Sequence, residues 1–179
     1  MKSILLFKLV LFTSLQLFSK PPRMAKYSVG NSGIQLYFPS KPDEAVVSYS
    51  EDSSKIFTIS CLDTSQNAAY YFEAIVVTLN ENINAQDHID NLVIPYLDYL
   101  KKNFNISDAA GYGKGHTLEN HQTAKGVIDY WVDNDGIKYN ITAWGAEKYI
   151  VILIIKGADT YPIFNITEMY KKGVRFPGD

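Results

Sequence analysis

From residue 34 onward, apolar and polar positions alternate in one short segment after another, the spacing of half-buried β-strands. Residues 34–38, Ile-Gln-Leu-Tyr-Phe, alternate and stop at Pro39. Segments 45–50 and 55–62 flank Glu51-Asp-Ser-Ser54, which predicts a hairpin turn. Segment 69–79 is apolar on both faces, with Tyr71, Ile75, Val77 and Leu79 on one side and Tyr70, Phe72, Ala74 and Val76 on the other.

The period then changes. Ile89, Leu92, Val93, Tyr96, Leu97, Leu100 and Phe104 recur at helical spacing, and Asn84 with Asp87 three residues on resembles a capping box. Pro95 lies inside this pattern and predicts a kink or break. Past a glycine-rich connection, segments 123–132 and 137–144 are joined by Asp133-Asn-Asp-Gly136, a strong hairpin turn. A tight turn at Gly145-Ala146 is expected to lead into segment 148–156, apolar on both faces. Asp159 or Thr160 can cap a last helix, with Pro162 in its first turn and Ile163, Ile166 and Tyr170 on its inner stripe.

The order is strand meander, helix, strand meander, helix. Short hairpin links predict a mainly antiparallel sheet, and strands apolar on both faces predict cover on both sides. The expectation is an α+β protein built as a three-layer α/β/α sandwich. In its opening Gly33-Ile-Gln-Leu-Tyr-Phe-Pro39, followed by Pro42, and in this layout, the chain resembles the PsbP-like sandwich family. That family includes extrinsic photosystem proteins, a Ran-binding nuclear import factor and bacterial secreted domains. The resemblance implies a binding or accessory role more than catalysis, and carries no functional residue to a position here.

The N-terminus adds a location. Lys2 precedes a nearly continuous apolar run to Phe18, broken by Lys8, and Ser19 stands before the polar Lys20-Pro-Pro-Arg23. That order predicts a secretory signal peptide over 1–19, a disordered lead-in over 20–26 and a single domain over 27–179, secreted or periplasmic after cleavage. The apolar run is too short for a comfortable membrane span, so none is expected in the mature chain. Removing Lys2 and Lys8 leaves 15 Lys and Arg against 19 Asp and Glu. A mildly acidic chain without a basic run gives no electrostatic reason to bind nucleic acid or an anionic membrane. Apolar residues make up 46% of the chain and charged residues 20%, enough for a packed core rather than a disordered chain. Cys61 is the only cysteine, so no internal disulfide is available. It lies in an apolar strand, where it reads as a buried small hydrophobe.

Candidate chemistry is sparse. A hairpin turning at Glu119-Asn120 would pair Leu118 with His121 and His116 with Thr123, placing His116 and His121 diagonally on one face about 7 Å apart. Such a pair suits a metal or a proton shuttle. No third ligand is placed, so no metal or other cofactor is expected. Gly111-Tyr-Gly-Lys-Gly115 follows a helix rather than preceding one, the wrong context for a phosphate cradle. Asp87-His88-Ile89-Asp90 reads as capping and a solvated face, and Asp133-Asn-Asp135-Gly136 lacks the later Glu of a calcium loop. Trp144 either shares an exposed strand face with Lys138, Asn140 and Thr142, or packs beneath the last helix. Asn105, Asn140 and Asn165 fit the glycosylation pattern.

Three functions stand side by side. The leading one is a non-enzymatic extracytoplasmic binding or accessory domain for an unidentified protein or small molecule. The others are a metal-dependent hydrolase using His116 and His121, and a binder of small apolar ligands between sheet and helix.

Overall fold

The computed structural model describes residues 23–65, 68–81, 89–157, 162 and 164–179. The expected signal peptide, the caps at Asn84, Asp87, Asp159 and Thr160, and Ile163 lie outside the described residues. A first hairpin pairs β1 (Ala25–Ser28) with β2 (Gln35–Phe38). Ala25 and Lys26 therefore belong to a strand, which corrects the expected disordered lead-in over 20–26; Met24 packs against the core.

An antiparallel sheet forms the body. Its members in chain order are β3 (Val46–Tyr49), β4 (Lys55–Asp63), β5 (Tyr70–Thr78), β6 (Ile106–Ala109), β7 (Gly113–Leu118), β8 (His121–Asp133), β9 (Lys138–Ala146) and β10 (Tyr149–Gly157). They lie side by side as β3-β4-β5-β10-β9-β8-β6, with β7 also pairing with β8. The doubly apolar β5 and β10 take neighbouring central places. Ile152 opposes Ile75 on β5 and Ala143 on β9. Both predicted turns close hairpins. Asp133 accepts hydrogen bonds from the Asp135 and Ile137 N–H groups at 3.0 and 2.8 Å. The turn expected at Gly145-Ala146 falls two residues later: both residues belong to β9, and Glu147-Lys148 make the turn, with Glu147 at φ 49°.

Helices are few and short. A π-helical turn (Ile89–Val93) runs into α1 (Ile94–Asn103), and α2 (Phe164–Lys172) follows β10. Pro95 lies in the first turn of α1, directly after the π-helical turn, so the expected break is a change from π to α winding. Among the described residues no helix is long and apolar enough to cross a membrane.

This is not the three-layer α/β/α sandwich that the pattern predicts: among the described residues 51% are strand and only 16% helix, in two short helices. The expectation of a mainly antiparallel sheet stands. Apolar residues on both strand faces demand cover, and the chain supplies much of that cover with strand and irregular segments instead of helices. One face packs on Leu36 and Phe38 of the first hairpin, on Ile166 and Tyr170 of α2, and on Val174 and Phe176 beyond it. Gln35 and Arg175 exchange backbone hydrogen bonds at 3.0 Å, tying that last segment to β2. The opposite face packs on Val93, Leu97 and Leu100 of the single helical segment.

Candidate functional site

The two histidines of the predicted pair part company. Leu118 opposes His121 as the turn at Glu119-Asn120 requires, but register shifts in β7 set His116 opposite Gly126 rather than Thr123. His116 is exposed. His121 turns to the C-terminal segment, where its Nδ1 lies 2.7 Å from Asp179 Oδ1 and its ring 4.7 Å from that of Phe176. An imidazole held by a carboxylate is the orienting arrangement of a general base. Here the remaining nitrogen, Nε2, is buried and has no hydrogen-bond partner, so a substrate cannot reach it. Among the described residues, no group of three or more His, Cys, Asp or Glu side chains is arranged to hold a metal.

The other candidates also resolve. Trp144 is 2% exposed, and its indole N–H donates to the Lys171 carbonyl of α2 at 2.7 Å. Its ring covers Gly126, where a Cβ would meet it at 2.2 Å, so only glycine lets the indole lie flat on β8. Cys61 is buried, and burial pushes its thiol up despite hydrogen bonding to Ser40; it is a core residue rather than a nucleophile. Gly113 and Gly115 belong to β7. Asp133 serves its turn, and its carboxylate also accepts the Tyr139 hydroxyl at 2.9 Å. Burial and that bond push Tyr139 up to about 12. Asn140 is buried, so the folded chain does not present it for glycosylation. His88 and Asp87 lie outside the described residues.

On the α1 face, a buried ionic network joins helix to sheet. Asp129 is fully buried and accepts Lys101 Nζ at 3.0 Å, Trp131 Nε1 at 2.6 Å and the Gly111 N–H at 2.9 Å. The same ammonium lies 4.0 Å from the ring centre of Tyr112, whose hydroxyl donates to Asp98 at 2.5 Å. Burial, then that bond, pushes the Tyr112 hydroxyl up. Asp129 has its partners in place, so the network fastens α1 and the 109–112 segment to β8.

What remains open is a cleft of about 400 Å³ at the other end of this face. Its floor is Ile56 of β4, Val77 of β5 and Ile150 of β10. Leu92 and Tyr96 of the helical segment form the wall, and Glu51 stands on the rim. The π-helical turn carries Leu92, and such widened turns are frequent at functional sites. The rim is pinned. Asp52 accepts hydrogen bonds from the Ser50 hydroxyl and from the Ser54 N–H and hydroxyl, and Asn80 donates to the Asp52 carbonyl at 2.5 Å. The Ser50 bond foremost, then those from Ser54, hold the Asp52 carboxyl below its ordinary value. Burial, then neighbouring Tyr99, pushes the Tyr96 hydroxyl up, so it stays a neutral donor. The cleft thus offers an apolar floor, one phenol and an acidic rim, and the volume falls in the range of small-ligand pockets.

No local pattern announces these cleft residues, because Glu51, Ile56, Val77, Leu92 and Ile150 come from separate elements. The predicted strand alternation does place Ile75 and Val77 on one face of β5, but nothing in the sequence marks where the helix stops covering them. The chain matches no protein-family model, and no curated protein matches it in sequence.

Proposed function

We propose that this protein is a non-enzymatic binding domain that works outside the cytoplasm and takes a small, mainly apolar ligand in the cleft between α1 and the β3–β4 hairpin. The cleft carries the reading: a preformed apolar floor of Ile56, Val77 and Ile150 beside the Tyr96 hydroxyl and the acidic rim. Glu51 on that rim favours a ligand whose polar end is cationic or donates hydrogen bonds. His121 is sealed and His116 stands apart on β7, so the alternative of a hydrolase built on that pair draws no support from their placement. The leader pattern carries the extracytoplasmic part.

The experiment uses protein recovered from outside the cytoplasm of its host, with an intact mass expected for a chain starting near Lys20. Titration with the neutral apolar dye Nile red is expected to saturate at one dye per chain. Ile56→Trp, which fills the floor, is expected to weaken binding at least tenfold while leaving the circular dichroism unchanged. Equal dye binding by Ile56→Trp overturns the cleft reading, and a soluble cytosolic form retaining residues 1–19 overturns the extracytoplasmic one.

A further inference from the structure

The two edges of the sheet are finished differently. At one, β6 is bulged and β7 carries two register shifts and two glycines, devices that blunt pairing with another chain. At the other, β3 has no proline, no lysine and no bulge, and all four residues are exposed. Val46, Val47 and Tyr49 stand 68, 45 and 64% exposed, an unusual load of apolar side chains on an edge. The backbone is open as well. The Ser50 N–H donates to the Ser54 carbonyl, and the register pairs Ser48 with Ile56 and Val46 with Thr58. Hydrogen-bonded pairs alternate along an antiparallel ladder, so Ser48 and Val46 turn their N–H and C=O groups inward. Val47 and Tyr49 turn theirs out.

We infer that β3 is a docking edge for an extended segment of another protein, apolar at alternate positions and basic at its ends, which adds as a further strand. Charge selects the occupant. Exposed Asp43 and Glu44 precede the strand and exposed Glu51 and Asp52 follow it, four carboxylates against the two ammonium groups of Lys41 and Lys55. A second copy fits badly. In any antiparallel self-pairing through Val47 and Tyr49, the Asp43-Glu44 end of one β3 lies against the Glu51-Asp52 end of the other, and like charges repel. A strand with Lys or Arg at both ends meets opposite charge at both, while main-chain bonds to Val47 and Tyr49 supply the pairing.

The test uses the end-blocked, fluorescein-labelled nonapeptide Lys-Lys-Val-Thr-Val-Thr-Val-Lys-Lys and its counterpart with Glu for Lys, followed by anisotropy. The basic peptide is expected to bind at least tenfold more tightly than the acidic one. It is also expected to slow amide exchange at Val47 and Tyr49, leaving Val46 and Ser48, already bonded inward, unchanged. Val47→Pro removes an outward N–H without touching the ladder to β4, so it is expected to keep the fold by circular dichroism and lose at least tenfold in peptide affinity. Val47→Lys, which adds a like charge for the basic ends, serves if the proline variant fails to fold, with the same loss expected. Equal affinity for the two peptides, no binding of the basic peptide, or unchanged affinity in the folded variants overturns the proposal. A dimer of the free protein that Val47→Pro dissolves names a second copy as the occupant and overturns it too.

Discussion

The two faces of the sheet are covered by different means, and the difference locates the open site. On one, three segments far apart in sequence converge: the first hairpin, α2 and the residues around Phe176. Phe38, Tyr170 and Phe72, one from each layer of that packing, meet edge to face with centroids 5.4 and 5.1 Å apart, and the Tyr170 hydroxyl donates to the Glu73 carbonyl at 2.7 Å. The other face relies on one helical segment, anchored at its C-terminal end by the ionic network and leaving the cleft at its N-terminal end. Among the described residues, the one ten-residue helix, about 15 Å long, leaves Ile56, Val77 and Ile150 lining a cleft at the β3–β4 corner. The apolar area left uncovered there is the area available to a ligand.

The sharpest way to break this asymmetry is to cut the single anchor. Asp129→Ala removes the carboxylate that holds Lys101, Trp131 Nε1 and the Gly111 N–H, leaving a partly buried ammonium and buried donors unpaired. The expected loss is about 3–5 kcal/mol in chemical denaturation, the range for breaking a buried ion pair from one side. If the loss is under about 1 kcal/mol, the helix is held by its apolar contacts alone and the network is not the anchor.

Adjacent residues of β10 compare the faces directly. Ile152 points to the α1 face and Leu153 to the opposite one, and they are 0 and 1% exposed. Truncating either to Ala is expected to cost about 2–5 kcal/mol by denaturant unfolding, since each leaves a cavity in a packed layer. Under single-helix cover, the surroundings of Ile152 can relax further, so its cost is expected to be the lower of the two. A value for Ile152→Ala below about 1 kcal/mol would mean that the α1 face is open to water over the centre of the sheet.

The strands and their turns were legible because they are local. Alternation marks β4, apolar runs mark β5 and β10, and the turns carry side chains that satisfy their own backbones, as Asp133 does. β1 was not legible: three of its four residues are exposed, so it has no apolar period, and pairing with β2 and the packing of Tyr27 on the core hold it. The layers were misjudged for a related reason. A doubly apolar strand states that it is covered, not by what, and a hairpin such as β1–β2 answers that need as well as a helix. Bulges escape the sequence altogether, and the register shifts in β7 moved His116 away from its expected partner. The cleft is long-range in origin, since Ile56 and Ile150 are separated by about half of the chain. Edge exposure was half legible: Val46, Val47 and Tyr49 are visible as apolar residues, but that no strand among the described residues lies beyond them is a property of topology.

The smallest effect belongs to the well-closed face and tests whether its last segment is held by charge. Asp179 accepts hydrogen bonds from His121, from Asn120 Nδ2 at 2.9 Å and from the Phe176 N–H at 2.8 Å. Burial raises its carboxyl pKa, but these bonds together outweigh that and hold the group below its ordinary value. A carboxyl lowered in the folded state adds stability that is complete above its unfolded value, near 4, and is lost as pH falls through the folded value. The bonds sit close to solvent, so the gain is expected to stay below about 1 kcal/mol. Asp179→Asn keeps the shape of the side chain and removes the charge. Its stability deficit is therefore expected at pH 7 and to shrink as the pH falls below about 4 and through the folded value, read by denaturant unfolding across the acid range. A deficit that persists unchanged in acid would show that Asp179 holds Phe176 and His121 through geometry rather than ionisation.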